Sequence, residues 1–210
     1  MTERQESIEA TLDLLEAIEH GEDHTQRTLA SKLGIALGLT NALVKRCVKK
    51  GLLKVSEVPA KRFAYYLTPK GFREKSRLTA EYLSMSLGFF RSARADYAEV
   101  LAYCESREWK KVVFFGASEL TEIASLAVPD VAVEPVAVVQ PGSNLEQVGL
   151  YTVVQSLDHV GEYDAVVLTE MQTPQEAYDF LLSQVPKGRL LAPSFMRVGK
   201  ASKDKERGLK

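Results

Sequence analysis

The residue types that could do chemistry in this 210-residue chain fall in two stretches. The first holds Gln26, Arg27, Asn41, Lys45 and Arg46, and then Lys61 and Arg62. Amide side chains can hydrogen-bond base edges, and ammonium and guanidinium groups neutralise phosphates. The second is Gly116-Ala117-Ser118-Glu119-Leu120, joined by Gln140 and by Thr169-Glu170. A glycine that admits close backbone approach, followed by the N–H groups of a helix start, can receive a small anion or a nucleotide. No nucleophile elbow, P-loop, metal cluster or His–carboxylate pairing is visible, and Cys47 and Cys104 make no metal or redox spacing. Glu119, Glu122 and Glu170 could approach one another at the strand ends, though three carboxylates near a mouth are as often a solvated rim. The expectation is therefore no enzyme, no catalytic residue, no metal and no cofactor.

The elements that position the first set lie between Thr25 and Val55. Thr25 suits an N-cap, and Leu29, Ala30 and Leu33 share one face of a short helix that Gly34 ends. A second helix is predicted from Leu37 to Lys50, with Thr40, Leu43, Val44, Cys47 and Val48 inward. Gly38, Leu39, Asn41, Ala42, Lys45, Arg46 and Lys49 then point outward. Two short helices with a glycine turn make a helix-turn-helix, whose second helix reads DNA. From His24 to Arg77 there are 13 Lys/Arg and 2 Asp/Glu, a net of +11 in a chain of net −1, so the remainder carries −12. That asymmetry is the electrostatic footprint of a nucleic-acid binder. The DNA-facing set is Gln26, Arg27, Gly38, Leu39, Thr40, Asn41, Ala42, Lys45, Arg46, Lys61 and Arg62. Asn41 is the leading base-contact candidate, because an Asn amide can bond adenine at N6 and N7 together. Cys47 lies in the reading helix, and its inward phase reads as a small core residue rather than a redox switch.

A helix from Glu3 to His20, with Ile8, Leu12, Leu15 and Ile18 on one stripe and Gly21 as C-cap, precedes this pair. Two strands, LLKVSEV and RFAYYLT, follow it and are joined by Pro59-Ala60-Lys61-Arg62. A hairpin after a helix-turn-helix makes a winged helix, and its basic tip suits phosphates. The run from Thr25 to Gly71, with its Gly-Ile turn, its LG pair opening the reading helix and its LTPKG after the wing, resembles the MarR-like winged-helix regulators. The nearer likeness is to those found beside bacterial exopolysaccharide and lipopolysaccharide genes. The resemblance implies a DNA-binding transcriptional regulator. Two features depart from it. Ala36 stands where a Ser or Thr cap is usual, at a cost of about 1 kcal/mol. Leu39 and Ala42 stand where polar readers are expected.

From Pro69 to Glu108 an apolar series that includes Leu78, Leu83, Leu87, Phe89, Tyr97 and Leu101 predicts one long helix or two, with Gly88 as a weak point. A stripe of that length predicts a linker and a homodimer interface. Beyond Trp109, strands at Val112–Phe115, VEPVAVVQ, YTVVQ, YDAVVLTEM and GRLLAPSF alternate with helices, which predicts a parallel sheet covered on both faces. The fold class expected is α/β in two domains. The divisions are 1–71 winged helix, 72–108 linker helix, 109–198 Rossmann-like domain and 199–210 disordered tail.

The run GASE resembles the start of Rossmann-like nucleotide and nucleotide-sugar domains. Residues Gly116, Ala117, Ser118, Glu119, Leu120, Gln140, Thr169 and Glu170 are then the expected ligand contacts. A second glycine is missing, and Gln140 replaces the ribose-binding acid, which argues against NAD(H). Three readings of this domain stand: a metabolite sensor, a body for assembly or partner contact, and a nucleotide-dependent enzyme. The expected partners are double-stranded DNA, a second copy of the chain and a small-molecule effector. No signal peptide and no run of ~20 apolar residues is seen, so the expected location is cytoplasmic, without membrane contact.

Overall fold

The computed structural model describes residues 3–20, 25–58 and 62–199. The expected cap at Gly21, the wing tip and the tail from residue 200 lie outside the described residues. The chain divides into two compact units, Met1–Leu87 and Gly88–Lys210. No helix among the described residues is long and apolar enough to cross a membrane.

The first unit holds α1 (Glu3–Glu19), α2 (Gln26–Leu33), α3 (Leu37–Lys49) and an antiparallel hairpin of β1 (Leu53–Val58) and β2 (Arg62–Leu67). Thr25 caps α2, its hydroxyl accepting from Thr28 N at 3.1 Å, and Gly34 ends it at φ 62°. Ala36 makes no side-chain cap on α3. Ile8, Leu12, Leu15 and Ile18 of α1 bury against Leu29, Leu43, Val44, Cys47, Leu53 and Tyr65, so the expected stripe is the core face. The LTPKG run has a local cause. The Thr68 hydroxyl donates to Gly51 O at 2.7 Å and accepts from Gly71 N at 3.0 Å, which caps the helix that Pro69 opens. Gly71 lies against the Leu52 carbonyl so closely that a Cβ would collide with it.

That next helix, α4 (Pro69–Ser106), is continuous, and the boundary between the units falls at Gly88 within it. The linker helix expected at 72–108 lies within it. Leu78 is buried in the first unit's core, and Ala93, Tyr97, Leu101 and Cys104 are buried in the second's. The stripe predicted for a dimer is therefore partly used within the chain. Leu83 (52% exposed) and Leu87 (54% exposed) remain at the surface.

The second unit is built on β3 (Lys111–Phe115), β4 (Glu134–Val139), β5 (Gln147–Val148), β6 (Tyr151–Val154), β7 (Ala165–Leu168) and β8 (Leu190–Leu191). Their order is β5-β6-β4-β3-β7-β8; all neighbours are parallel except the edge pair β5–β6. Val112 and Phe114 bury one face of β3 with the last turns of α4 and with α5 (Glu119–Ser125). Val113 and Phe115 bury the other with Leu181 of α6 (Pro174–Leu182). Both faces being covered, the strands read as continuous apolar runs. Tyr97 closes the first layer by donating its hydroxyl to Leu168 O at 3.1 Å. At the opposite end of β3, the Asp164 carboxylate accepts from Lys110 N at 2.9 Å and Lys111 N at 3.0 Å.

Those backbone donors, Lys111 first and then Lys110, hold the Asp164 carboxyl below its usual range. A depressed folded value means its contribution is present above the unfolded value of about 3.9 and is lost as pH falls through the folded one. The midpoint of unfolding of the second unit, followed by fluorescence of the single tryptophan, Trp109, should drop through this acid window. Asp164→Asn should flatten that part of the pH dependence.

Candidate nucleic-acid interface and strand-end site

Burial of Thr40, Leu43, Val44 and Cys47 sets the rotation of α3 and leaves Gly38, Leu39, Ala42, Lys45 and Lys49 exposed. No acid lies on α2 or α3, and Arg27 and Lys32 of α2 are exposed as well. Several members of the expected DNA-facing set are placed differently. Thr40 is fully buried and donates its hydroxyl to Ala36 O at 3.2 Å, because its phase is that of the core stripe. Arg46 turns toward α1 and donates to Thr11 Oγ1 at 3.2 Å. Gln26 is half-buried and donates to the Tyr65 hydroxyl at 3.2 Å, which ties α2 to the hairpin. The Asn41 Oδ1 is buried and has no hydrogen-bond partner among the described residues. Whichever way that amide is turned, one of its two polar ends is inside. In this rotamer the amide does not present both ends outward, as the two-bond adenine contact expected of it needs. Lys61 and the Arg62 side chain lie outside the described residues.

Cys47 is 1% exposed and burial pushes its thiol up, which suits the small core residue expected. Beside α3, an open cleft of about 340 Å³ is lined by Val44, Val48, Val55, Phe63 and Tyr65, together with Gln26, Lys45 and Lys49.

In the second unit, the strand order turns at β3, with β4 and β6 on one side and β7 and β8 on the other. Ligands of open α/β sheets bind beyond the strand ends at such a point. The structure brings the expected residues together there. Gly116 follows β3, Gln140 follows β4, and Thr169 and Glu170 follow β7. Their polar groups, however, satisfy one another. Gly116 N donates to Val139 O at 2.9 Å, and Ala117 N to Gln140 Oε1 at 2.6 Å. The Ser118 hydroxyl donates to Thr169 O at 2.6 Å and accepts from Leu120 N at 3.1 Å. Thr169 and Thr121 both donate their hydroxyls to Gly116 O. Glu119 is exposed, and Leu120 is buried in the sheet-facing core. Glu170 turns to the start of α6, accepting from Gln172 N at 2.7 Å. The helix expected to offer N–H groups to an anion, α5, has seven residues and carries Glu119 and Glu122 in its first turn. Their charge opposes an anion at that end. As packed, these residues do not fit a pyrophosphate.

Residues 9–62 match the family model of the MarR family. The matched segment holds most of α1, the helix-turn-helix and β1. No curated protein matches the chain. Among solved structures, the PcaV transcriptional regulator from Streptomyces coelicolor is 25% identical, with a TM-score of 0.37 over 39% of this chain. The chain spans 62% of the length of that protein. Human N-acetylserotonin methyltransferase in complex with SAM is 13% identical, with a TM-score of 0.30, over 78% of this chain and 66% of that one. An O-methyltransferase from neocarzinostatin biosynthesis in complex with SAM and 2-hydroxy-5-methyl naphthoic acid is 15% identical, with a TM-score of 0.30, over 91% and 64%. The expectation of no enzyme is withdrawn, since methyltransferases are among the structures whose match spans most of the chain. At TM-scores of 0.30 they assign no reaction and no catalytic residue to it.

Gly116 has φ 116°, and a Cβ there would collide with the Glu170 backbone N and Cα. The glycine is required by strand packing, before any ligand is considered. Gly116→Ala should therefore destabilise the second unit by roughly 2–4 kcal/mol, from overpacking and backbone strain together. The check is the denaturation midpoint read from Trp109; an unchanged midpoint would show that the Glu170 segment yields.

Proposed function

We propose that this protein is a transcriptional regulator that binds duplex DNA through the exposed face of α3 and acts as a homodimer. The observation that carries the reading is that face itself: Lys45 and Lys49 stand exposed on the second helix of a helix-turn-helix, with no acid on either helix. Phosphate neutralisation supplies the sequence-independent part of the affinity, and the groove-facing side chains supply the rest. The likeness of Thr25–Gly71 to regulators beside exopolysaccharide genes supports the same module. Proteins of the MarR family bind DNA and work as dimers, and Leu83 and Leu87, one turn apart and exposed on α4, are the surface we assign to the second copy.

For the second unit, the closed strand ends favour assembly or partner contact over metabolite sensing. A nucleotide-like effector at Gly116 would have to displace Gln140 from the Ala117 N–H and separate Ser118 from Thr169.

Two measurements test the reading. Lys45→Gln and Lys49→Gln should each reduce the slope of log K against log salt by about one. An unchanged slope in both would place this face off the DNA. Leu83→Glu combined with Leu87→Glu should give a folded monomer by sedimentation, with operator affinity reduced by about 10²-fold through loss of the tethered second half-site. A wild type that sediments as a monomer at micromolar concentration removes the dimer.

A further inference from the structure

A surface that meets a polyanion is expected to be polar, yet the leading turns of α3 are not. Leu37 is 45% exposed and Leu39 is 58% exposed. Gly38 and Ala42 are exposed beside them. The uncharged polar reader available there, Asn41, has one end of its amide buried. The donors and acceptors of base edges therefore find few partners on this part of the helix. One group in the major groove is apolar and marks a single base: the C5-methyl of thymine. Leu39 and Ala42 are three residues apart, which on a helix is about 4.5 Å along the axis. That is somewhat more than the ~3.4 Å spacing of successive bases on one strand, so with the helix inclined in the groove both side chains can reach neighbouring thymines. Lys45 and Lys49 follow on the same side, where they can hold phosphates while the apolar pair reads.

We infer that α3 reads thymine methyl groups, with Leu39 and Ala42 as the specificity-determining residues. The inference rests on the DNA-binding reading above and adds the base chemistry to it. The apolar exposure at Leu39 is then the surface that the methyl groups cover.

The test uses the full chain. Bound duplexes are first selected from a random-sequence library, and each thymidine of the selected site is then replaced singly by deoxyuridine, which removes only the C5-methyl. Binding at fixed salt is measured by fluorescence anisotropy for the wild type and for Leu39→Ala. Leu39 is exposed, so its truncation leaves the core intact. At one or more adjacent positions the wild type should lose about fourfold in affinity per methyl, the worth of one buried CH₂. Leu39→Ala should bind the thymidine duplex more weakly and show no further loss with deoxyuridine at the position Leu39 covers. A selected site that tolerates deoxyuridine everywhere overturns the inference, as does a Leu39→Ala protein with the same deoxyuridine loss as the wild type. Enrichment of no sequence overturns the DNA reading itself, and this inference with it.

Discussion

Burial of Leu43, Val44 and Cys47 against Leu15 and Leu29 decides which side of α3 faces water, and the functional reading depends on that rotation. A helix carries its side chains at 100° intervals, so sealing one stripe determines the opposite one. Thr40 follows the sealed stripe, and the lysines at positions 45 and 49 follow the open one. α3 itself has no side-chain cap at Ala36, so its position comes from this packing and from the Arg46 bond to Thr11 rather than from local end chemistry. The same argument explains why an exposed leucine at position 39 is informative. It is exposed and takes no part in the first unit's core cluster among the described residues.

The second unit is governed by a different constraint, the close approach of the Gly116 backbone to Glu170. It draws the ends of β3 and β7 together and lets Thr169, Thr121 and Ser118 complete each other's hydrogen bonds. Polar groups that a ligand would need are already matched, and a buried polar group gains little by exchanging one good partner for another. Gln140, which stands where an acid would hold a ribose, closes the Ala117 N–H instead. The strand order retains the switch point; the side chains around it have taken the space.

The continuous helix α4 shows how one periodic stripe can serve several purposes. Its apolar residues recur at helical spacing from Leu78 to Cys104. Part of the series completes one core and part completes another, on either side of Gly88. Only what is left over is available to a partner.

Much of this was legible in the residues alone. The helix-turn-helix, the hairpin after it, the long helix and the alternation of strands with helices all follow from local periodicity, caps and turn residues, which act over a few neighbours. The charge asymmetry that points to DNA is a property of composition and needs no fold. The tertiary structure decided what distance along the chain conceals. It turned Arg46 to a residue 35 positions away and set Gly116 against one more than 50 positions away. It also buried one end of the Asn41 amide. Each of these depends on where a second element comes to rest. A side chain's hydrogen-bond partner is set by three-dimensional packing, whereas its tendency to lie on a helix is set by its neighbours in sequence.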